Sequence, residues 1–471
     1  MGSNQRLLAG GIVAAAIVAV VVLGTRCGGS TDEAANEAPS AEPAPVVPAA
    51  PAGEPAGGNE PPQPPTKREV PLPTVELAVP GERTTVPHPL ELTDELAAAR
   101  AALAKVVMDH GRDPENPWAV THSMLALGLD VELSNGAKAV DHLFASYAEV
   151  VDVGADGPGD DHGISFPKSK GTVRIEPHTD LVLKALTEGG VDPDRTVPVK
   201  DGEGKVIDLY RASMHRVWIE GPAGRYQTSL GSMNDTPWAL QALSSWAPKG
   251  YGWTAIGGRS MTMDAFAEAD LVELEKASSA LMAAKDRGAM PKKDGKGILS
   301  YSCGGQHLVQ GVAHAVARGF GPDDAKARAC AQRDLIRWRI DHELGSIDPL
   351  FVDDRVTKDP GMQVLLLIQR LKFVGHAMET LSKFDAYGYC TWTEEDTKAQ
   401  ERLSVELIRT VKALQAAKVF EDPQAIRNDR SLDRFHPNSG GAEQVYLDLI
   451  GDSAHAVRGI DLATGEATVG F

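Results

Sequence analysis

Asn116-Pro117-Trp118-Ala119-Val120 returns 120 residues later as Thr236-Pro237-Trp238-Ala239-Leu240, and this echo constrains the fold more than any other feature of the chain. In both copies a polar residue stands where an N-cap would satisfy orphan amides. Proline then takes the first helical position, where its missing N–H costs nothing. Each copy runs into small and apolar residues, AVTHSMLALGL and ALQALSSW. Three later segments begin alike, at Gly304-Gly305-Gln306-His307, Gly375-His376-Ala377-Met378 and Asp452-Ser453-Ala454-His455. Helices with such narrow surfaces suit enclosure on all sides.

Between these segments lie more polar ones. Thr93 is placed to cap a helix whose first turn carries Asp94 and Glu95, favourable near the positive end of the helix dipole. Helical spacing recurs over 264–285, 323–342, 362–384, 396–418 and 441–450. One interval departs from it. In TVPVKDGEGKVIDLY, Val and Ile alternate around Asp201-Gly202-Glu203-Gly204, which predicts a hairpin and a small β insertion over 163–227.

Five small-residue helices alternating with amphipathic ones predict an inner and an outer ring. That arrangement resembles the α/α-toroid proteins: terpenoid cyclases, protein prenyltransferases and several polysaccharide lyases and glycosidases. The resemblance spans residues 95–460. The expected fold is mainly α, a toroid-like helical barrel over 91–471 with a small β-hairpin insertion.

Ahead of this domain the chain changes character twice. Leu7 to Gly24 carries no polar side chain, and its 18 residues reach about 27 Å as a helix, near the thickness of a bilayer's hydrocarbon. Residues 1–27 are therefore expected to form a signal anchor with a transmembrane helix over 7–24. Cleavage after Gly24 and lipidation at Cys27 are the alternatives, although Arg26 departs from the small residue that a bacterial lipobox places before its cysteine. Fifteen of the 31 prolines fall between Pro39 and Pro89. Such a stretch favours extended polyproline II, so residues 28–90 read as a tether. On this reading the protein sits in a bacterial cell envelope, anchored in the inner membrane with residues 28–471 in the periplasm. A lipoprotein and a secreted form remain the other two routes.

A formal net charge of −18 argues against nucleic acid as the partner. The lipid bilayer, through residues 7–24, and a polysaccharide or small polar ligand are the expected partners. Chemistry falls to the histidines. If inner helices start at one mouth, His122, His307, His376 and His455 converge there, with Trp118 and Trp238 on the rim and Asn234 and Asp235 beside them as ligand-binding residues. Histidine titrates near neutrality and suits general acid–base work. Glu379, three residues after His376, can touch it on one helical face and orient it.

Cys303 and His307 are four residues apart and share a face if the helix already begins at 303, with His314 one heptad beyond His307. Together with His376 they form a candidate set for zinc. Protein prenyltransferases are somewhat similar, since an Asp-x-Cys pair and a distant His hold their zinc. Here Tyr301 stands in the place of that Asp. No His-Glu-x-x-His, Gly-x-x-x-x-Gly-Lys or Gly-x-Ser-x-Gly run occurs.

Three function classes follow. The first is an exported enzyme on a cell-envelope polysaccharide, a lyase or hydrolase using histidine as acid and base. The second is a non-catalytic scaffold or binding module held away from the membrane. The third is a metal-dependent enzyme built on Cys303 and His307.

Overall fold

The computed structural model describes residues 83–154, 162–200, 202–288, 296–435 and 440–470. Helix starts follow the local chemistry. Thr93 Oγ1 accepts the Leu96 N–H and Asn116 Oδ1 accepts that of Ala119, opening α1 (Asp94–His110) and α2 (Pro117–Leu127). Next come α3 (Ala139–Tyr147), α4 (Leu181–Glu188), α5 (Val206–Arg216), α6 (Thr236–Trp246) and α7 (Met263–Arg287). The chain continues through α8 (Gln306–Ala317), α9 (Ala325–Ile347), the single turn α10 (Asp354–Thr357) and α11 (Pro360–Tyr387). It ends with α12 (Glu394–Ala416), α13 (Pro423–Asn428) and α14 (Ala442–Ala463). Thr236 departs from the expected cap: it is already helical, and its hydroxyl lies 2.8 Å from Asp270 Oδ1.

The protein is mainly helical. Six helices are enclosed and touch in a cycle: α2 meets α4, α4 meets α6, α6 meets α8, α8 meets α11, α11 meets α14, and α14 returns to α2. This closed order is consistent with the expected inner ring. All 11 residues of α6 are buried, so that helix has no solvent face at all. Helices α1, α7, α9 and α12 pack outside the ring and bury one stripe each, as Ala399, Leu403, Leu407 and Leu414 do on α12. The sixth inner helix, α4, carries Lys184, Thr187 and Glu188, which hid it from a search for small apolar helices.

Two small-residue segments were expected to start helices and do not. Gly375 and Asp452 lie in the middle of α11 and α14, which run 28 and 22 residues. Their glycines serve helix contact instead. A Cβ on Gly375 would stand 3.0 Å from Ala456 Cα, and one on Gly459 would stand 3.0 Å from the Gly375 carbonyl.

The β structure is also more dispersed than expected. Five two-stranded antiparallel hairpins lie between Glu149 and Thr262, interleaved with α4, α5 and α6. Thr196–Val199 pairs with Gly202–Lys205, so Gly202 and Glu203 belong to the second strand rather than the turn. The following Val206-Ile-Asp-Leu-Tyr210 is helical because Asp208 accepts the Lys205 N–H and nucleates α5.

The ends of the described domain meet: Thr84 and Val469 exchange both backbone hydrogen bonds. A disulfide between Cys330 and Cys390 ties α9 to the segment following α11. Among the described residues no helix is long and apolar enough to cross a membrane. The anchor expected at 7–24, and the tether up to residue 82, lie outside the described residues.

The glycine contacts give a paired test. Gly375→Val must push α11 off α14 and is expected to cost at least about 2 kcal/mol in urea unfolding. Gly345→Ala, where a Cβ meets nothing within 4 Å on α9, is expected to stabilise by about 0.5–1 kcal/mol.

Candidate functional site

One cavity inside the ring is lined by His122, His178, His307, His376 and His455, with Trp118 and Trp238. The four expected histidines are thus brought together and a fifth joins them. Ring centroids lie 4.0 Å apart for His376 and His455, 5.1 Å for His307 and His376, 5.2 Å for His307 and His455, and 5.6 Å for His122 and His455. His376 and His455 reach the cavity from the middle of long helices, not from helix starts. The expectation that several helix N-termini converge there is therefore corrected.

The tryptophans are not on a rim. Both are buried, Trp118 against His122 at 3.9 Å and Trp238 stacked on His178 at 4.1 Å with planes 4° apart. Asn234 and Asp235 lie behind the lining. Asn234 holds the Ser302 backbone and hydroxyl at 2.8 and 3.1 Å, and Asp235 accepts from His178 Nδ1 at 2.9 Å.

Hydrogen bonds fix the imidazoles. Nδ1–H donates to the Trp118 carbonyl in His122 (2.8 Å) and to the Lys372 carbonyl in His376 (2.9 Å). In His455 it donates to Glu379 Oε2 (2.8 Å). Glu379 therefore orients His455 across the α11–α14 interface rather than His376 on its own helix. An Nδ1–H anchored on a carbonyl or carboxylate leaves Nε2 as the open nitrogen, the arrangement seen behind metal-ligating histidines. Among the cavity's imidazoles, His307 Nδ1 and His376 Nε2 are buried without a hydrogen-bond partner, as is the indole Nε1 of Trp238.

Burial sets the charge state. It pushes the His122 imidazole down to about 3, with His455 adding to the effect. Burial, then the His376 and His455 rings, hold His307 well below its ordinary value, and burial with His455 does the same to His376. These three rings are neutral at pH 7 and open to a cation. Burial alone would raise Glu379, but the Lys383 ammonium 2.7 Å away and His455 overrule it and keep the carboxyl ionised. Lys383 also pairs with Glu188, which Lys184 meets at 3.0 Å, so two cations and two carboxylates balance inside the ring.

Cys303 lies beside this set, but not by the expected route. Helix α8 begins at Gln306, and Cys303, Gly304 and Gly305 form a left-handed run before it with φ of 50°, 63° and 82°. That turn, rather than a shared helical face, places Cys303 within 4.8 Å of ligand nitrogens on both His307 and His376. Cys303 is disulfide-bonded. His314 points elsewhere, between Ser245 Oγ at 2.8 Å and Tyr387 Oη at 3.1 Å.

Sequence reasoning missed His178, Asp448 and Asp452, which also line the cavity. His178 sits in an irregular polar stretch before α4, where periodicity carries no signal. Asp448, Asp452 and His455 were legible: spacings of four and three put them on one face of α14. Asp448 pairs with Lys372 at 2.9 Å. Burial raises Asp452 well above the usual carboxylate range against the pull of Lys372.

The cavity volume is about 20 Å³, room for one water-sized particle. Comparison of the chain with protein-family models, curated proteins and solved structures returns no match.

The buried histidines predict an acid response. Burial pushes His314 down to about 3, whereas the unfolded chain binds that proton near pH 6.5. The native state then binds fewer protons, so its stability is full above about pH 6.5 and falls as pH drops through the window toward 3. At pH 5 this one ring costs about 2 kcal/mol. Denaturant unfolding at pH 7 and pH 5 should show His314→Gln losing about 2 kcal/mol less between the two than the unaltered chain.

Proposed function

We propose that this protein is an exported α/α toroid whose inner chamber binds one divalent transition-metal ion through histidine. The observation that carries the reading is the pair of open nitrogens, His307 Nδ1 and His376 Nε2, buried without partners on rings 5.1 Å apart. Leaving a buried polar atom unmade costs about 1–3 kcal/mol each. A scaffold that only packs its core has no need to accept that cost twice at one spot. Imidazole suits zinc, copper, iron and nickel, and the metal must meet it unprotonated, as burial already keeps His307 and His376.

Other features point the same way. His376 and His455 carry the backbone and carboxylate partners that orient metal ligands. A bound ion would supply Lewis-acid activation of a single water, which is chemistry of the hydrolase or lyase kind. The polysaccharide reading draws less support. A cavity of about 20 Å³ does not admit a sugar ring, and each tryptophan already has an imidazole against its face. The bilayer span at 7–24, the tether at 28–90 and a periplasmic setting belong to the same proposal, and the Cys330–Cys390 disulfide suits an oxidising compartment.

Calorimetric titration of zinc into chelator-stripped protein tests this. One ion per chain with micromolar or tighter affinity is expected. At a hundredfold excess over Kd, linkage should add about 2.7 kcal/mol of stability. The double variant His307→Gln/His376→Gln should lose zinc at least tenfold while keeping its helical circular dichroism. A folded, unaltered chain that takes up no zinc overturns the proposal.

A further inference from the structure

We infer that Ser302, His178 and Asp235 form a second reactive centre at the chamber wall, a serine nucleophile with its base and a positioning carboxylate, suited to hydrolysing an ester of a short acyl group such as acetyl. It uses neither of the nitrogens assigned to the metal and stands independently of that reading.

The contacts run in one direction. His178 Nδ1 lies 2.9 Å from Asp235 Oδ1, and His178 Nε2 lies 3.4 Å from Ser302 Oγ. A carboxylate only accepts, so the imidazole proton sits on Nδ1 and Nε2 is left as an acceptor. Asn234 Nδ2 donates to Ser302 Oγ at 3.1 Å. The hydroxyl's own proton is therefore directed to Nε2, the polarity a base needs in order to take it. A contact of 3.4 Å is loose, as nucleophile–base pairs often are before substrate binds.

Each member is held by more than this chain of contacts. Trp238 stacks on His178 at 4.1 Å and fixes the ring's orientation. Asp235 is buried, and the ammonium of half-exposed Lys168 stands 3.6 Å from its other oxygen. This end of the triad is thus one side chain from solvent. Ser302 precedes the sharp turn that Cys303, Gly304 and Gly305 make with φ of 50°, 63° and 82°. Asn234 Oδ1 accepts the Ser302 N–H, and Arg339 donates to the Gly304 carbonyl. These bonds anchor the loop, so the hydroxyl's link to His178 is not needed to hold it. His178 and Cys303 both line the cavity, which puts the base and the nucleophile's neighbour on its wall. The indole N–H of Trp238 and the side-chain amide of Gln306, on the first residue of α8, are buried without partners. They leave donors for the negative oxygen of a tetrahedral intermediate.

Ser302 Oγ attacks the ester carbonyl carbon while His178 Nε2 takes the hydroxyl proton. The intermediate collapses, the bond to the alcohol oxygen breaks, and His178 gives that oxygen the proton, leaving an acyl-serine. Water then attacks the acyl carbon, with His178 again taking a proton and returning it to Ser302 Oγ as the carboxylic acid departs. The sum is ester plus water to acid plus alcohol, with no electrons exchanged. Asp235 touches no reacting atom; it holds the Nδ1 tautomer and stabilises the imidazolium. A cavity of about 20 Å³ limits the acyl half to about the size of acetyl, and the alcohol half stays outside it.

The test uses the full chain, stripped of metal with a chelator. Methanesulfonyl fluoride, a probe of about acetyl size whose sulfur is attacked with loss of fluoride, should modify a single serine, located at Ser302 by peptide mass mapping. The same protein should hydrolyse 4-nitrophenyl acetate, with Ser302→Ala and His178→Gln each at least about 100-fold slower. Asp235→Asn should lower kcat by a similar factor and leave KM unchanged, a split that a merely structural role would not produce. Labelling of the unaltered chain depends on no variant's folding. Failure to modify Ser302 there, or a Ser302→Ala variant that cleaves the ester at the unaltered rate, overturns the triad and leaves the histidine metal centre to its own zinc titration.

Discussion

The chamber depends on the close approach of α11 and α14. Gly375 and Gly459 remove the side chains that would keep the two backbones apart, and Ala456 fills the seam. This contact closes the ring of inner helices, since α14 also returns to α2. It sets His376 against His455 and lets Glu379 cross from one helix to the other's imidazole. Without it His376 and His455 would not share a wall, and His455 would lose the Glu379 carboxylate that accepts its Nδ1–H.

The ring's interior is unusual for a helical core because it is wet in chemistry but dry in environment. Lys184, Lys383, Glu188 and Glu379 are buried, share Gln241, Gln310 and His455 as polar partners, and sum to no net charge. Replacing such ions by apolar residues often costs nothing, whereas removing one partner strands the other. Their value here is orientation: Lys383 keeps Glu379 ionised, and ionised Glu379 fixes the proton of His455 on Nδ1. The buried charge cluster thus reaches the chamber through one carboxylate.

Much of the fold was legible because capping and small-residue composition act locally. The Asn116-Pro117 start, the amphipathic segments and the alternation of enclosed and half-exposed helices all follow from residue spacing. What could not be read were events decided by tertiary contact. Gly375 resembled a helix start but serves as a packing notch, and α4 looked too polar to be internal because its charges are satisfied by each other, by Gln241 of α6 and by Lys383 of α11. Within the site, four histidines were legible from their helical contexts. His178 was not, since its place is fixed by Asp235 and by the stacked Trp238. The nearness of Cys303 to His307 was anticipated for the wrong geometric reason: a left-handed turn, invisible to helical periodicity, produces it.

The backbone bridge between Thr84 and Val469 has an implication of its own. Since the two extremities of the helical domain lie side by side, its cyclic order has no privileged origin. A short loop fusing residue 470 to residue 83, with new termini opened between outer and inner helices, would preserve every neighbour relation in the ring. The architecture is in that sense a circle cut at one convenient place, and circular permutants offer a route to placing either extremity next to any chosen pair of helices.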